Sequence, residues 1–343
     1  MDAILLVGGF GTRLMPLTKT LPKPLIPLAN VPFVERTIQG LQRQGIDHVI
    51  LSLHYSPEQF MAYFASRSLG VDISFAVEEE PLGTGGAIKN CEPYLRSPRC
   101  LIFNGDIFTD LNLTEMLDAH CGTGARVTIA LKRLEDASRF GVIETDADQR
   151  IRSFKEKPPV AFARDKLINA GLYIFEREIF DHFPTGACSV ERDIYPVLLD
   201  HDVYFHGYEE PCYWTDLGTP RDYLQAHRDI LSGTVRIPLI GQQVYPGVWF
   251  GDGVEVATDA VIRAPVLLGN GTRIGPGCRI GPRSVLGDGV HVEALAQIED
   301  SIIWDDGHIL AGSTVRGCIL GRQVRVTGLA QHVVCGDCEE VSG

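Results

Sequence analysis

No run of about 18 apolar residues occurs anywhere in this chain, so no segment reads as a membrane-crossing helix. The N-terminus lacks a basic stretch leading into an apolar one. Its first strand signal begins at Ala3, so no export signal is expected. Positive charge is scarce: 31 Lys and Arg stand against 44 Asp and Glu, a net charge of −13. That balance argues against a nucleic-acid surface, although a few local cations can still hold phosphate. Nine cysteines are scattered without framework spacing, and 343 residues can bury a core without disulfides. A cytoplasmic protein with no nucleic-acid and no membrane partner is the expectation. Cys335 and Cys338, near His332, have metal-ligand spacing but no second pair, so an ordinary tail is the simpler reading.

What is present has two textures. Up to residue 232, β-rich runs such as "AILLV", "HVILSL", "CLIFN" and "GLYIF" alternate with helix-period stretches. One stretch runs from Phe33 to Gln44, with Val34, Ile38 and Leu41 on one face, and another from Pro57 to Leu69. Continuous apolar strands alternating with helices predict an α/β domain, a Rossmann-like and mostly parallel sheet covered on both faces. Ligands bind such sheets at the carboxyl ends of the strands. From 240 to 330 a different period rules. Phe250, Val256, Ile262, Leu268, Ile274, Ile280, Leu286, Val292 and Ile298 recur every sixth residue. Small or β-branched residues such as Thr272, Cys278, Ser284 and Ala296 lie four positions on. A sixfold period fits a triangular solenoid with these residues stacked inward, and it resembles the hexapeptide left-handed parallel β-helix. After Trp304 the phase slips and resumes at Ile309, which reads as a loop between coils. Residues 331–343 read as a tail.

The first strand breaks into "GGFGTRLMPLTKTLPKPL". A dinucleotide fingerprint needs a third glycine where Leu14 stands, and no P-loop string is present. A turn with two surface cations would account for the glycines alone. The full string suits a different phosphate loop. Gly8, Gly9 and Gly11 let backbone N–H groups approach phosphates, Arg13 and Lys23 supply charge, and Pro16, Pro22, Pro24 and Pro27 stiffen the loop.

With "EEPLGTGGAI" at 79–88, "FNGD" at 103–106, "FGVIE" at 140–144, "FKEKP" at 154–158, "NAGLYIF" at 169–175 and "YWTDLGTPRDYL" at 213–224, this string resembles the sugar-1-phosphate nucleotidylyltransferases. The likeness runs along the whole chain and is nearest to the mannose-1-phosphate and heptose-1-phosphate guanylyltransferases. It implies attack by a sugar-1-phosphate oxygen on the α-phosphorus of a nucleoside triphosphate, with pyrophosphate leaving. Such transfer needs positioning and charge neutralisation more than covalent chemistry. Asp106 and Asp216 each end an apolar strand, where a lone carboxylate is costly unless it binds something, and two such carboxylates suit Mg²⁺.

The resemblance implies that Arg13 holds the leaving pyrophosphate, Lys23 the transferring phosphates and Lys157 the sugar phosphate. It implies nucleotide contacts at Leu6, Gly8, Gly9, Gly11, Thr12, Glu78, Gly83 and Thr84, and sugar contacts at Gly141, Glu156 and Asn169. Pyrimidine-using relatives commonly place Gln five residues before the glycine matching Gly83, and here Glu78 stands there. A carboxylate only accepts, and guanine offers two adjacent donors, so GTP is favoured over dTTP or UTP. Glu79 and Glu80 leave the register open by a residue or two. Two rivals remain: a regulatory subunit that binds nucleotide-sugars without making them, and an acyltransferase in the β-helix, for which His291 and His308 lack a motif. The β-helix is expected to serve assembly into a homo-oligomer.

Overall fold

Asp2–Leu6 is a strand because its apolar run can be buried on both faces: Ala3, Ile4 and Leu5 are fully buried. The computed structural model describes residues 1–156 and 164–343, the side chain of Glu156 excepted. The described chain forms two compact units: Met1–Gly9 with Thr37–Trp214, and Phe10–Arg36 with Thr215–Gly343.

The first unit is built on a nine-stranded sheet. Its parallel part runs Arg99–Asn104, Asp2–Leu6, His48–Leu53, Asp72–Val77. Beyond Arg99–Asn104 the sheet turns antiparallel through the long strand Arg164–Glu176, which also pairs with Val127–Asp136 and Gly141–Thr145. The sequence expectation of a parallel-rich α/β sheet is met, and, beyond the long antiparallel strand, Phe205–Glu209 again pairs parallel with Val127–Asp136. The strand starts are tied at one point: Asp2 Oδ1 and Ser74 Oγ lie 2.8 and 2.9 Å from the two ring nitrogens of the buried His48. Phe33–Arg43 is helical with Val34, Ile38 and Leu41 buried, as its spacing predicts. The second expected helix stops at Phe64 rather than Leu69, because Ala65-Ser66-Arg67-Ser68 offers no apolar face to bury.

In the second unit, residues 248–342 wind into three parallel ladders of six, six and five strands, a left-handed parallel β-helix, and Gln242–Tyr245 adds an antiparallel edge strand to the first. Phe250 pairs with Leu268 and Leu268 with Leu286, so each early coil takes 18 residues. Leu268, Ile274, Ile280, Leu286, Val292 and Ile298 form its buried core, with Phe250, Val256 and Ile262 packed against them. Thr272, Cys278, Ser284 and Ala296 are fully buried too, and Thr272 Oγ1 donates to carbonyls of Gly269 and Gly287. The phase slip is not an inserted loop. Leu286 pairs with Ile303, 17 residues on, so the coil shortens by one residue at the corner near Asp300 (φ 52°). The segment read as a tail is the last coil. Val334–Cys335 and Glu340–Ser342 extend two of the ladders, because Cys335 supplies one more inward apolar position. Among the described residues, no helix is long and apolar enough to cross a membrane.

Candidate active site

The first unit carries the end of the first strand and the motifs at 79–88, 103–106, 140–144 and 169–175. At its first strand end, Leu6 pairs with Ser52 on one side and Asn104 on the other. Gly8 follows, and a Cβ there would stand 3.1 Å from the backbone nitrogen of His54. At Gly9 a Cβ would meet nothing described within 4 Å, so this backbone is open to a ligand. Gly105 N donates to Leu6 O, which fixes the turn carrying Asp106 beside the same strand end.

Glu78 follows Asp72–Val77 and is buried. Its Oε1 accepts from Ser52 Oγ and its Oε2 from Leu82 N, each at 3.0 Å. Both oxygens thus hold the loop 78–82 in shape, a job its sequence position did not announce. Glu79 and Glu80, beside it, are exposed. Gly83 opens the helix Gly83–Cys91 at φ 67°, and a Cβ there would stand 2.7 Å from Cys188 O, so no other residue fits without backbone movement. Thr84 Oγ1 donates to Glu191 and accepts from Val190 N. "GTGG" therefore docks its helix on residues 186–191 while leaving Gly83 at the helix start.

On the sugar-side motifs, Asn169 Nδ2 donates to Tyr173 Oη at 2.8 Å and Asn169 Oδ1 accepts from Gly171 N. Register slips between Asn169 and Tyr173, a bulge that turns Gly171 against Asn104. Trp214 Nε1 donates to Ala170 O in the same bulge, and its ring packs edge-on against Phe140, the residue before Gly141. A Cβ at Gly141 would again meet nothing described within 4 Å. Lys157 and the side chain of Glu156 lie outside the described residues. Asn104 and Trp214 sit within motifs already quoted, but only the bulge shows that they frame the site.

The second unit holds two of the expected cations, Arg13 and Lys23. Gly11, at φ 64°, brings the loop back on itself so closely that a Cβ would stand 2.7 Å from Cβ of Lys23. Thr12–Leu14 and Lys23–Leu25 are single 3₁₀ turns, the second braced by Pro22 and Pro24. Lys23 is buried, and its Nζ lies 3.8 Å from Asp216 Oδ1. The exposed Arg13 reaches Asp216 Oδ2 at 3.7 Å. A buried lysine is costly without an anionic partner, and Asp216 supplies one. Gly218 makes this possible: a Cβ there would stand 2.9 Å from Arg13 Nη1 and from both Asp216 oxygens. Sequence reading passed over Gly218, although it sits in "DLGTP". Asp216, the last residue of the strand Trp214–Asp216, and Asp106, just after Arg99–Asn104, are hard oxygen donors of the kind Mg²⁺ prefers. Among the described residues, no group of three or more His, Cys, Asp and Glu gathers.

The Cys335–Cys338 pair is split by the last coil. Cys335 is buried, which pushes its thiol up to about 12, and Cys338 is exposed with Sγ 3.4 Å from Gln323 Oε1.

Comparison with known proteins matches these features. The Nucleotidyl transferase family model matches residues 2–233 and the GMPPB C-terminal domain model residues 243–340. The chain is 40% identical over 309 residues to a mannose-1-phosphate guanylyltransferase of Mycobacterium tuberculosis, covering 87% of this chain and 83% of that one. It is 32% identical over 352 residues to a UTP–glucose-1-phosphate uridylyltransferase of Synechocystis, covering 97% and 91%. HddC from Yersinia pseudotuberculosis, solved with GMP-PN, superposes with a TM-score of 0.57 at 30% identity, over 66% of this chain and 97% of that one. The chain belongs to the nucleotidyl transferase family, as one of its sugar-1-phosphate nucleotidylyltransferases.

Proposed function

We propose that this enzyme transfers guanylyl from GTP to a sugar-1-phosphate of the mannose type, giving a GDP-sugar and pyrophosphate. The observation that carries the reading is the Lys23–Asp216–Arg13 cluster on a glycine- and proline-shaped loop. An oxygen of the sugar phosphate forms a bond to the α-phosphorus as the bond from that phosphorus to the β-phosphate's bridging oxygen breaks. Lys23, buried and fixed, holds charge at the transferring phosphate. Arg13, exposed, follows the pyrophosphate as it leaves. Lys157 is assigned the sugar phosphate, and Glu156, Asn169 and the Gly141 backbone the sugar hydroxyls. Leu6, Gly8, Gly9, Gly11, Thr12, Gly83 and Thr84 line the nucleotide, and Glu78 shapes the base loop. A divalent ion, Mg²⁺ in this reading, supplies further neutralisation of the phosphates, and Asp106 and Asp216 would hold it.

GTP is favoured by the guanylyltransferase relative and by the exposed carboxylates of Glu79 and Glu80 beside the base loop. The second reading, UTP with glucose-1-phosphate, is favoured by the Synechocystis relative, which spans nearly the whole chain. We place the enzyme in the cytoplasm, which suits nine free cysteines. We also place it in a homo-oligomer, to which the first solenoid strand, Gln242–Tyr245, exposed along its whole length, could contribute an edge. The test is a matrix of nucleoside triphosphates against sugar-1-phosphates, read by pyrophosphate release. GTP with mannose-1-phosphate should give the highest kcat/KM, and a preference for UTP or dTTP overturns the guanylyl reading.

A further inference from the structure

Within the second unit, the phosphate loop is bonded to the β-helix. Beyond Lys23, Asn30 Nδ2 donates to Leu286 O at 2.7 Å and Arg36 Nη1 donates to Pro238 O. Tyr223 Oη donates to Pro27 O and accepts from Trp304 Nε1. These contacts hold the part of the loop that follows the lysine. The part between Arg13 and Lys23 has a different partner. Thr20 Oγ1 donates to Asp337 Oδ2 at 2.7 Å, and Asp337 Oδ1 accepts from Arg322 N at 2.8 Å. The next-door Gly336 lies so close to Pro16 that a Cβ there would stand 3.3 Å from Pro16 O. The last coil of the solenoid thus touches the loop at two points, both between the two catalytic cations.

We propose that Asp337 is a positioning residue for the nucleoside triphosphate, acting through Thr20 to keep the Arg13–Lys23 segment in its phosphate-holding shape. The proposal rests on the function proposed above. Residues 15–22 form no sheet pairs; local turns and Thr18 Oγ1, which donates to Gly11 O at 2.9 Å, hold them. A loop of this kind loses freedom when it closes on a ligand, and any bond that orders it beforehand reduces that loss. A hydroxyl on a carboxylate is a strong form of such a bond. Asp337 is anchored through its other oxygen to the solenoid backbone, so it presents Thr20 with a fixed acceptor. Asp337 has no assigned contact with substrate. Its influence should therefore fall on triphosphate affinity and leave the sugar phosphate and the chemical step alone.

The experiment uses the full chain with Asp337→Ala, Thr20→Val, Thr20→Ser and the Ala/Val double variant. We expect Asp337→Ala and Thr20→Val each to raise KM for the triphosphate about tenfold. The KM for sugar-1-phosphate and kcat should stay within about twofold, at unchanged Tm. Thr20→Ser, which keeps the hydroxyl, should behave as wild type, and the double variant should be no worse than either single one. Amide exchange across residues 14–22 should speed up in Asp337→Ala and not in Thr20→Ser. An unchanged KM for the triphosphate overturns the proposal, as does a loss of kcat that tracks a falling Tm. If the wild type transfers no nucleotide with any substrate pair, the function proposed above fails separately. The exchange rates then decide, and unchanged exchange in Asp337→Ala overturns the positioning.

Discussion

Glu78 shows how far a residue type can be read without its neighbours. Its distance from Gly83 and its acceptor-only carboxylate were legible and suggested a guanine reader. Ser52 and Leu82 N, which occupy both its oxygens, were not, since one lies 26 residues away on another strand. Glu78→Gln can keep both bonds, with its amide oxygen on Leu82 N and its amide nitrogen donating to Ser52 Oγ. We therefore expect it to lower kcat/KM for GTP and for UTP together, leaving their ratio within about threefold. A tenfold swing towards UTP would show that the carboxylate faces the base. Asp106 and Asp216 were legible as strand-end carboxylates. Each →Asn change should cut kcat at least about a hundredfold, near 3 kcal/mol of barrier, with Tm unchanged in Asp106→Asn and lowered in Asp216→Asn, which takes the charge partner from buried Lys23. Near-normal turnover at saturating Mg²⁺ would remove that residue from the metal site.

At the scale of the element, the helix Pro220–Ser232 has its start and stop written in it: Thr219 caps it, Pro220 opens it and Gly233 closes it. Its periodic pattern places His227 on the buried face but does not say what meets it there. His227 Nδ1 lies 2.9 Å from Tyr223 O, and Nε2 lies 3.1 Å from the Ala29 backbone nitrogen. A neutral ring that donates through Nδ1 and accepts through Nε2 satisfies both. Burial lowers its pKa to about 4, and the carbonyl of Tyr223 only partly offsets this. The unfolded chain therefore takes a proton below about pH 6.5 that the folded chain refuses until about pH 4. The stability this neutral ring provides is complete above pH 6.5 and falls away as pH drops, by about 2 kcal/mol between pH 7 and pH 5. Denaturant titrations at those two pH values should show the wild type losing about that much more than His227→Gln. Equal losses would mean that the ring is protonated in the folded protein.

At the scale of the molecule, the sixfold period suggested a solenoid separable from the catalytic motifs, with assembly as its task. The second unit combines that solenoid with residues 10–36 and 215–232, which carry Arg13, Lys23 and Asp216. A chain ending at Ser232 would leave Tyr223, now fully buried, without Trp304, and would remove the Asn30–Leu286, Arg36–Pro238 and Thr20–Asp337 hydrogen bonds. We expect that truncation to abolish measurable transfer, at least about a hundredfold, and to speed proteolysis within residues 10–36. A soluble truncated chain with substantial activity would return the solenoid to a purely assembling role, to be read by light scattering.

The sequence by itself determined the elements and the chemistry. Backbone rules and periodicity are local, so strands, helix caps and the six-residue stacking were all visible in short windows. Cations, carboxylates and glycines declared a phosphate-handling loop for the same reason. Only the tertiary structure decided which partners those groups have. Glu78 shares its charge with Ser52, Gly218 makes room for Arg13 on Asp216, and Thr20 meets Asp337 from 317 residues away. Such pairings depend on how distant segments pack, and no local spacing in the chain encodes a contact between residues that only folding brings together.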